Sequence, residues 1–376
     1  MKILSTYAEK KELNNCNCST PHGTDSVLSS HHNSTISVSK SQCLQPKQKI
    51  ENEVNDKFTL HKKDSELLVD SYVRLGFDRK ADLVANCASY LEFALYQDET
   101  IKLHRAYFCR DRLCPMCAWR RSRKIFGQVS QIMDVIEKDY EFIFLTLTVP
   151  NVPGDELSKT IDSLGKGWAK FIKYKRISKI CKGFFKALEV TYSRKRDDYH
   201  PHFHVIIAVP KKYFKGADYI KRDEWLDLWR KAMQNPDIIM VDVRRVRPKD
   251  FNSSGINFSE IKSVKKAVAE VAKYAVKSVD YLFKNSTRQT DFCVYTFSDA
   301  LKNRRLCAFG GCFQEVHEKL LLDDAENGDL IHTDCQLRSD VLLMLYKYKW
   351  NCGAFELFEI EDKALDYENI LAECDE

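Results

Sequence analysis

Three histidines fall within five positions of "YHPHFHVIIAVP", Tyr199–Pro210. In an extended strand residues i and i+2 share a face, so His202 and His204 project side by side with Phe203 opposite. Two imidazoles on one face can hold one divalent ion if a third group joins them. "GFFKALEVTY" precedes them across the charged loop "SRKRDDY", and the two apolar runs read as the strands of a hairpin. With the turn centred near Arg196–Asp197, Glu189 comes opposite His204, and a carboxylate inside an apolar strand needs a partner. His202, His204 and Glu189 are thus a candidate ligand set that leaves positions open for substrate. His200 precedes Pro201 and the strand proper, so it is placed to support a ligand.

A second constellation lies in "AVAEVAKYAVKSVDYLF". At helical spacing Val264, Val268, Val271, Ala275, Val279 and Leu282 form an apolar stripe, and Glu270, Tyr274, Lys277 and Tyr281 form another. Glu270 and Tyr274 are at i,i+4, with Lys277 one turn further. A tyrosine hydroxyl beside a carboxylate, a lysine and a metal can attack a phosphodiester, with the cations offsetting the developing charge. Alone, such residues describe an ordinary solvated helix face; beside a two-histidine strand they become candidates for catalysis.

Cys109, 22 residues after Cys87, is followed by Cys114 and Cys117, and the four together supply four thiolates with one C-x-x-C knuckle. That set suits a tetrahedral structural Zn²⁺, although buried reduced cysteines are the alternative. Residues 101–125 carry eight Lys/Arg against one Asp, with Tyr107, Phe108 and Trp119 interleaved. Arg110, Arg112, Arg120, Arg121, Arg123 and Lys124 are the candidate phosphate contacts there.

These residues must be positioned by a folded chain, and 44% hydrophobic content in 376 residues is enough to bury a core. Predicted strands (Tyr140–Val152, then the hairpin, then Ile238–Pro248) alternate with predicted helices. One of these is a long helix, Ser259–Phe283. Adjacent antiparallel strands with helices between them point to α+β: a central antiparallel sheet carrying helices, preceded by a cysteine-rich module. The expected divisions are a polar arm at 1–65, the cysteine-rich basic module at 66–127, the sheet domain at 128–312 and an acidic, helical extension at 313–376. That last segment has 17 acidic against 5 basic residues, so a net +17 rests on residues 1–312 and suggests a polyanionic partner. Fourteen cysteines without an export signal argue for a reducing cytoplasm, and no run is long and apolar enough for a membrane span.

Taken together, the motifs resemble the replication initiator (Rep) proteins of rolling-circle plasmids, in the HUH endonuclease superfamily. "FLTLTVPN" (Phe144–Asn151) is similar to the first motif, "HPHFHVI" to the His-hydrophobe-His motif, and "EVAKYAVK" to the nucleophile motif of the single-tyrosine branch. "CRDRLCPMCAWRRSRK" resembles the cysteine-rich element ahead of them, and the likeness spans about Cys87 to Gly311. The resemblance implies that Tyr274 nicks one strand at the double-strand origin, giving a 5′-phosphotyrosyl link and a free 3′-OH. It implies that Glu270 activates water to end the round and that His202 and His204 hold Mg²⁺ or Mn²⁺. Tyr281, on the same predicted stripe, keeps a two-tyrosine scheme open. With no ATP-binding G-x-x-x-x-G-K-[ST] loop, a host helicase would separate the strands and a host DNA polymerase extend the primer. The alternatives are a zinc-containing DNA-binding regulator without nicking activity, and a transposase or relaxase of the same superfamily.

Overall fold

The computed structural model describes residues 46–246, 260–261, 264–272, 277–333 and 342–363. Helices α1 (Pro46–Glu53) and α2 (Thr59–Arg74), joined by a π-helical turn at Val54–Phe58, occupy the last part of the expected polar arm. The arm expectation fails there because Ile50, Val54 and Phe58 are buried; its residues 1–45 lie outside the described residues. The sequence Glu66–Leu95 has a helical period throughout, but the helices stop at α3 (Asp78–Ala85), and Tyr90–Tyr96 is strand β1. Leu, Glu and Ala in β1 favour helix on their own. Pairing with β2 (Ile101–Ala106) on one side and β9 (Leu342–Asn351) on the other overrides that preference. With β10 (Ala354–Asp362) these form a four-stranded antiparallel sheet in the order β10-β9-β1-β2.

Downstream, α4 (Pro115–Ile136) leads into β3 (Tyr140–Thr148). Ile143, Leu145 and Leu147 alternate along β3 with Phe142 and Phe144, and both sets are buried, as a central strand covered on both faces requires. The basic run "SLGKGWAKFIKYKRISKIC", Ser163–Cys181, reads as one amphipathic helix but falls in two, α5 (Gly154–Phe171) and α6 (Lys175–Ile180), followed by the hairpin β4 (Gly183–Ser193) and β5 (Asp198–Pro210). Then come α7 (Arg222–Met233), β6 (Val241–Val246), β7 (Glu260–Ile261) and α8 (Val264–Val271). The chain continues through α9 (Thr287–Ala300), β8 (Cys307–Gly311) and α10 (Cys312–Lys319). The larger sheet has the order β7-β6-β3-β5-β4-β8, antiparallel except at β6–β7. Trp168, Phe171, Trp225, Trp229 and Phe297 of α5, α7 and α9 pack on one face. Helices α4, α8 and α10 pack on the other through Val129, Val268 and Phe313. This is the expected α+β architecture, with a second sheet that was not expected. Gly311, with φ of 56°, turns β8 into α10 where a Cβ would strike the Lys182 carbonyl; the Gly-Gly pair is thus a strand-to-helix corner.

The acidic C-terminal segment is no helical appendage. Beyond α10 its residues 323–332 lie along α4, and β9–β10 complete the first sheet. The segment takes up much of the basic surface read from α4. Arg120 donates to the Leu330 and Ile331 carbonyls, Arg121 to those of Glu326 and Arg110, and Lys124 to Asp323 and the Asp329 carbonyl. All three cations are buried, which corrects their reading as phosphate contacts: each is bonded to the segment some 200 positions later in the chain. Arg112 and Arg123 are half-buried and ion-paired with Glu326 and Glu53, while Arg110 is exposed.

Glu326 is the pivot of this contact. It is 4% exposed, accepts from the Leu306 and Cys307 amides at 2.7 and 2.8 Å, and pairs with Arg112 at 3.1 Å. It therefore ties the cysteine-rich module to the edge of the larger sheet. Glu326→Ala leaves two buried amides and a guanidinium without their acceptor, and should cost about 3 kcal/mol in chemical denaturation.

Lys186, on β4, projects into the opposite, aromatic face with its ammonium 3.9 Å from the Phe203 ring centroid. Burial pushes its pKa down to about 8. Between about pH 8 and its unfolded value near 10.4 the unfolded chain binds the extra proton, so stability rises with pH across that window. Lys186→Met should be more stable than wild type at pH 7 and should lose this rise, as measured by denaturation at pH 7, 8.5 and 10.

Candidate metal and nucleophile site

On the face met by α4, α8 and α10, apolar residues give way to polar ones at one end of the sheet. Along β5 the run is Ala208, Ile206, His204, His202; along β4 it is Phe185, Ala187, Glu189; along β3 it is Phe142, Phe144, Thr146, Thr148. Helix α8 covers the apolar end through Ala267, Val268 and Val271. The polar end carries the candidate ligands.

Hairpin pairing sets Ser193 against Asp198, so Glu189 stands opposite His202, two residues from the expected partner His204. Because the difference is even, the carboxylate stays on the same face. Its Oε2 lies 2.8 Å from His204 Nε2 and 3.6 Å from His202 Nε2, and the two Nε2 atoms are 3.2 Å apart. All three side chains are buried. Octahedral coordination at the short bond lengths of Mg²⁺ gives ligand–ligand edges of about 3 Å, so these donors are already spaced for one ion. The imidazoles are held from behind. His202 Nδ1 is 3.0 Å from the His200 carbonyl, and His204 Nδ1 is 3.2 Å from Thr146 Oγ1. His200 thus supports His202 through its main chain, with its ring stacked on that of His202. The Thr146 contact had a signal in "FLTLT": two threonines, two apart, on one face of an otherwise apolar strand.

Lys277 Nζ reaches Glu189 Oε1 at 2.7 Å, and Glu270 Oε1 lies 3.9 Å from His204 Nε2. Burial alone raises the Glu189 pKa, but bonds with His202, His204 and Lys277 prevail and hold it well below the usual carboxylate range. Burial lowers the Lys277 pKa, but the Glu189 bond outweighs it and leaves the ammonium above its ordinary value. Burial, then the neighbouring His202, pushes His200 down to about 4.

The single long helix does not form as read. Helix α8 ends at Val271, and Lys277 is extended ahead of a 3₁₀ turn at Ser278–Asp280. Tyr281 therefore leaves the expected stripe: it is fully buried, and its hydroxyl donates to the Leu113 carbonyl in the cysteine-rich module. Tyr274 lies outside the described residues.

The other cluster is Cys87, Cys109, Cys114 and Cys117, whose sulfurs all lie within 4.8 Å of one another. Three of the separations are 3.6 Å, close to the roughly 3.8 Å edge of a tetrahedron with 2.3 Å metal–sulfur bonds. The Arg110 and Cys109 amides point at Cys117 Sγ and Cys87 Sγ, at 3.2 and 3.5 Å. Lys62, buried beside the thiols, donates to the Ala85 and Cys87 carbonyls.

A family model described as "Replication protein" matches residues 100–355. The chain belongs to that family. It is a replication initiator of the rolling-circle plasmid type, as the motif order implied. Curated relatives called "Protein rep" include one from Bacillus sp, 42% identical over 68% of this chain and 85% of its own length. Others come from Bacillus amyloliquefaciens, 41% identical over 68% and 77%, and from Streptococcus pneumoniae serotype 2, 36% identical over 71% and 80%. No solved structure matches. The family match in this replication protein runs past Gly311, where the sequence resemblance was expected to stop, and takes in β9. Among the described residues no helix is long and apolar enough to cross a membrane.

The buried Tyr281 hydroxyl gives a direct test. Tyr281→Phe removes one hydrogen bond to a main-chain carbonyl, and should lower stability by about 1 kcal/mol in equilibrium denaturation.

Proposed function

We propose that this initiator is a metal-dependent, site-specific DNA endonuclease and strand transferase that starts rolling-circle replication by nicking one strand of the plasmid origin. The observation that carries this reading is the convergence of Glu189, His202 and His204 on one face, with Lys277 and Glu270 at its rim. A Mg²⁺ or Mn²⁺ held by these three supplies Lewis-acid polarisation of the scissile phosphate. Tyr274 Oη attacks that phosphorus; a bond to the tyrosine forms, the P–O3′ bond breaks, and the 3′-OH leaves as the primer. Lys277 offsets charge on the phosphoryl oxygens, and Glu270 takes the proton from the water that later hydrolyses the 5′-phosphotyrosyl bond.

The four-cysteine cluster holds a structural Zn²⁺ in this reading and fixes the loop bearing the exposed Arg110, which remains available to backbone phosphates. The partners are origin DNA and, for unwinding and extension, a host helicase and DNA polymerase.

The test is denaturing electrophoresis after incubation with Mn²⁺ and an end-labelled single-stranded origin oligonucleotide. Wild type and Tyr281→Phe should form an adduct in which the protein is joined to the 5′ phosphate of the downstream fragment, and Tyr274→Phe should lose it by roughly a thousandfold or more. An adduct that survives Tyr274→Phe moves the nucleophile elsewhere. Binding with no adduct from wild type makes the protein a DNA-binding regulator.

A further inference from the structure

The two histidines are held by chemically different partners. His202 Nδ1 faces the His200 carbonyl at 3.0 Å, and a carbonyl can only accept. His202 therefore carries its proton on Nδ1 and presents a lone pair at Nε2. His204 Nδ1 faces the Thr146 hydroxyl at 3.2 Å, and a hydroxyl can accept or donate. The proton of His204 is thus set by whatever lies on its Nε2 side. There the Glu189 carboxylate at 2.8 Å draws a proton to Nε2, whereas a metal needs that nitrogen's lone pair.

We infer that Thr146 is a positioning residue for the metal centre: once Nε2 gives its lone pair to an ion, the hydroxyl accepts the Nδ1 proton of His204 and holds the tautomer and ring angle in which Nε2 is a ligand. The inference rests on the metal reading above and extends it to a residue outside the candidate ligand set. Thr146 pairs directly with His204 across β3–β5, so its hydroxyl is held by the sheet itself. A valine there fills the same space and keeps strand preference but offers no acceptor. Its neighbour Thr148, opposite His202, donates to the Met240 carbonyl instead, so the two threonines of "FLTLT" do different work.

Partners of this kind typically change metal affinity by 10–100-fold. The measurement is Mn²⁺ binding to the full chain by calorimetry and by the loss of free-ion EPR signal. The variants are Thr146→Val, Thr146→Ser, Thr146→Ala and His204→Ala, each first checked for an unchanged melting temperature without Mn²⁺. Thr146→Val and Thr146→Ala should bind at least about tenfold more weakly than wild type, and Thr146→Ser should return to near wild type. The alanine variant carries the comparison if valine disturbs the fold. Wild-type affinity in both Thr146→Val and Thr146→Ala overturns the inference, as does a serine variant as weak as the valine one. If His204→Ala binds Mn²⁺ as tightly as wild type, the metal reading itself fails, and this inference falls with it.

Discussion

Everything at the polar end of the larger sheet depends on the pairing of β4 with β5. That register puts one carboxylate and two imidazoles on the same face, next to the apolar residues that α8 covers. A slip of one residue would turn Glu189 into the aromatic core on the other side and bring Lys186 onto the ligand face. The flanking apolar residues forbid it: Phe185 and Ala187 on β4, and Ile206 and Ala208 on β5, are buried on the ligand face, while Leu188, Val190, Val205 and Ile207 are buried on the other. The hydrophobic pattern of the hairpin thus specifies the geometry of the polar groups beyond it. The carboxylate is the costly part, since a buried charge needs compensation, and two imidazoles and Lys277 provide it.

Much of this was legible in the sequence, for a local reason. The histidines, Glu189 and their shared face follow from a two-residue period within one hairpin of short loop. A turn centred one residue earlier moves the pairing by two and leaves the face unchanged. The four cysteines likewise needed only their own spacing. What local pattern could not reveal is what comes from far along the chain. Strand β1 looks helical by composition and is extended because β9 pairs with it from 250 positions away. Arg120, Arg121 and Lys124 look like a basic surface until residues 323–332 fold over them. Tyr281 has the spacing of a second nucleophile, yet its backbone has already left the helix and its ring is in the core.

The cysteine-rich module and the larger sheet are therefore joined at both ends of the sequence. Glu326 fastens the module's helix to the edge strand β8, and Ser71 and Arg74 of α2 bond to Asp291 of α9. Cations whose spacing suited DNA instead make the inner surface of that joint. The exposed cationic side of the module is correspondingly smaller than its composition suggests.

The late arrival of β9 also bears on the order in which the protein can be made. A ribosome delivers β1 and β2 hundreds of residues before the strand that lies between β1 and β10, so the small sheet waits as a two-stranded ribbon with an open edge until Asn351 has emerged. Translation must pass Asn351, well beyond β8, before the module that precedes the larger sheet is closed. A chain stopped short of β9 would carry the whole ligand face but an unfinished neighbour, so the two sheets differ in how early they can close.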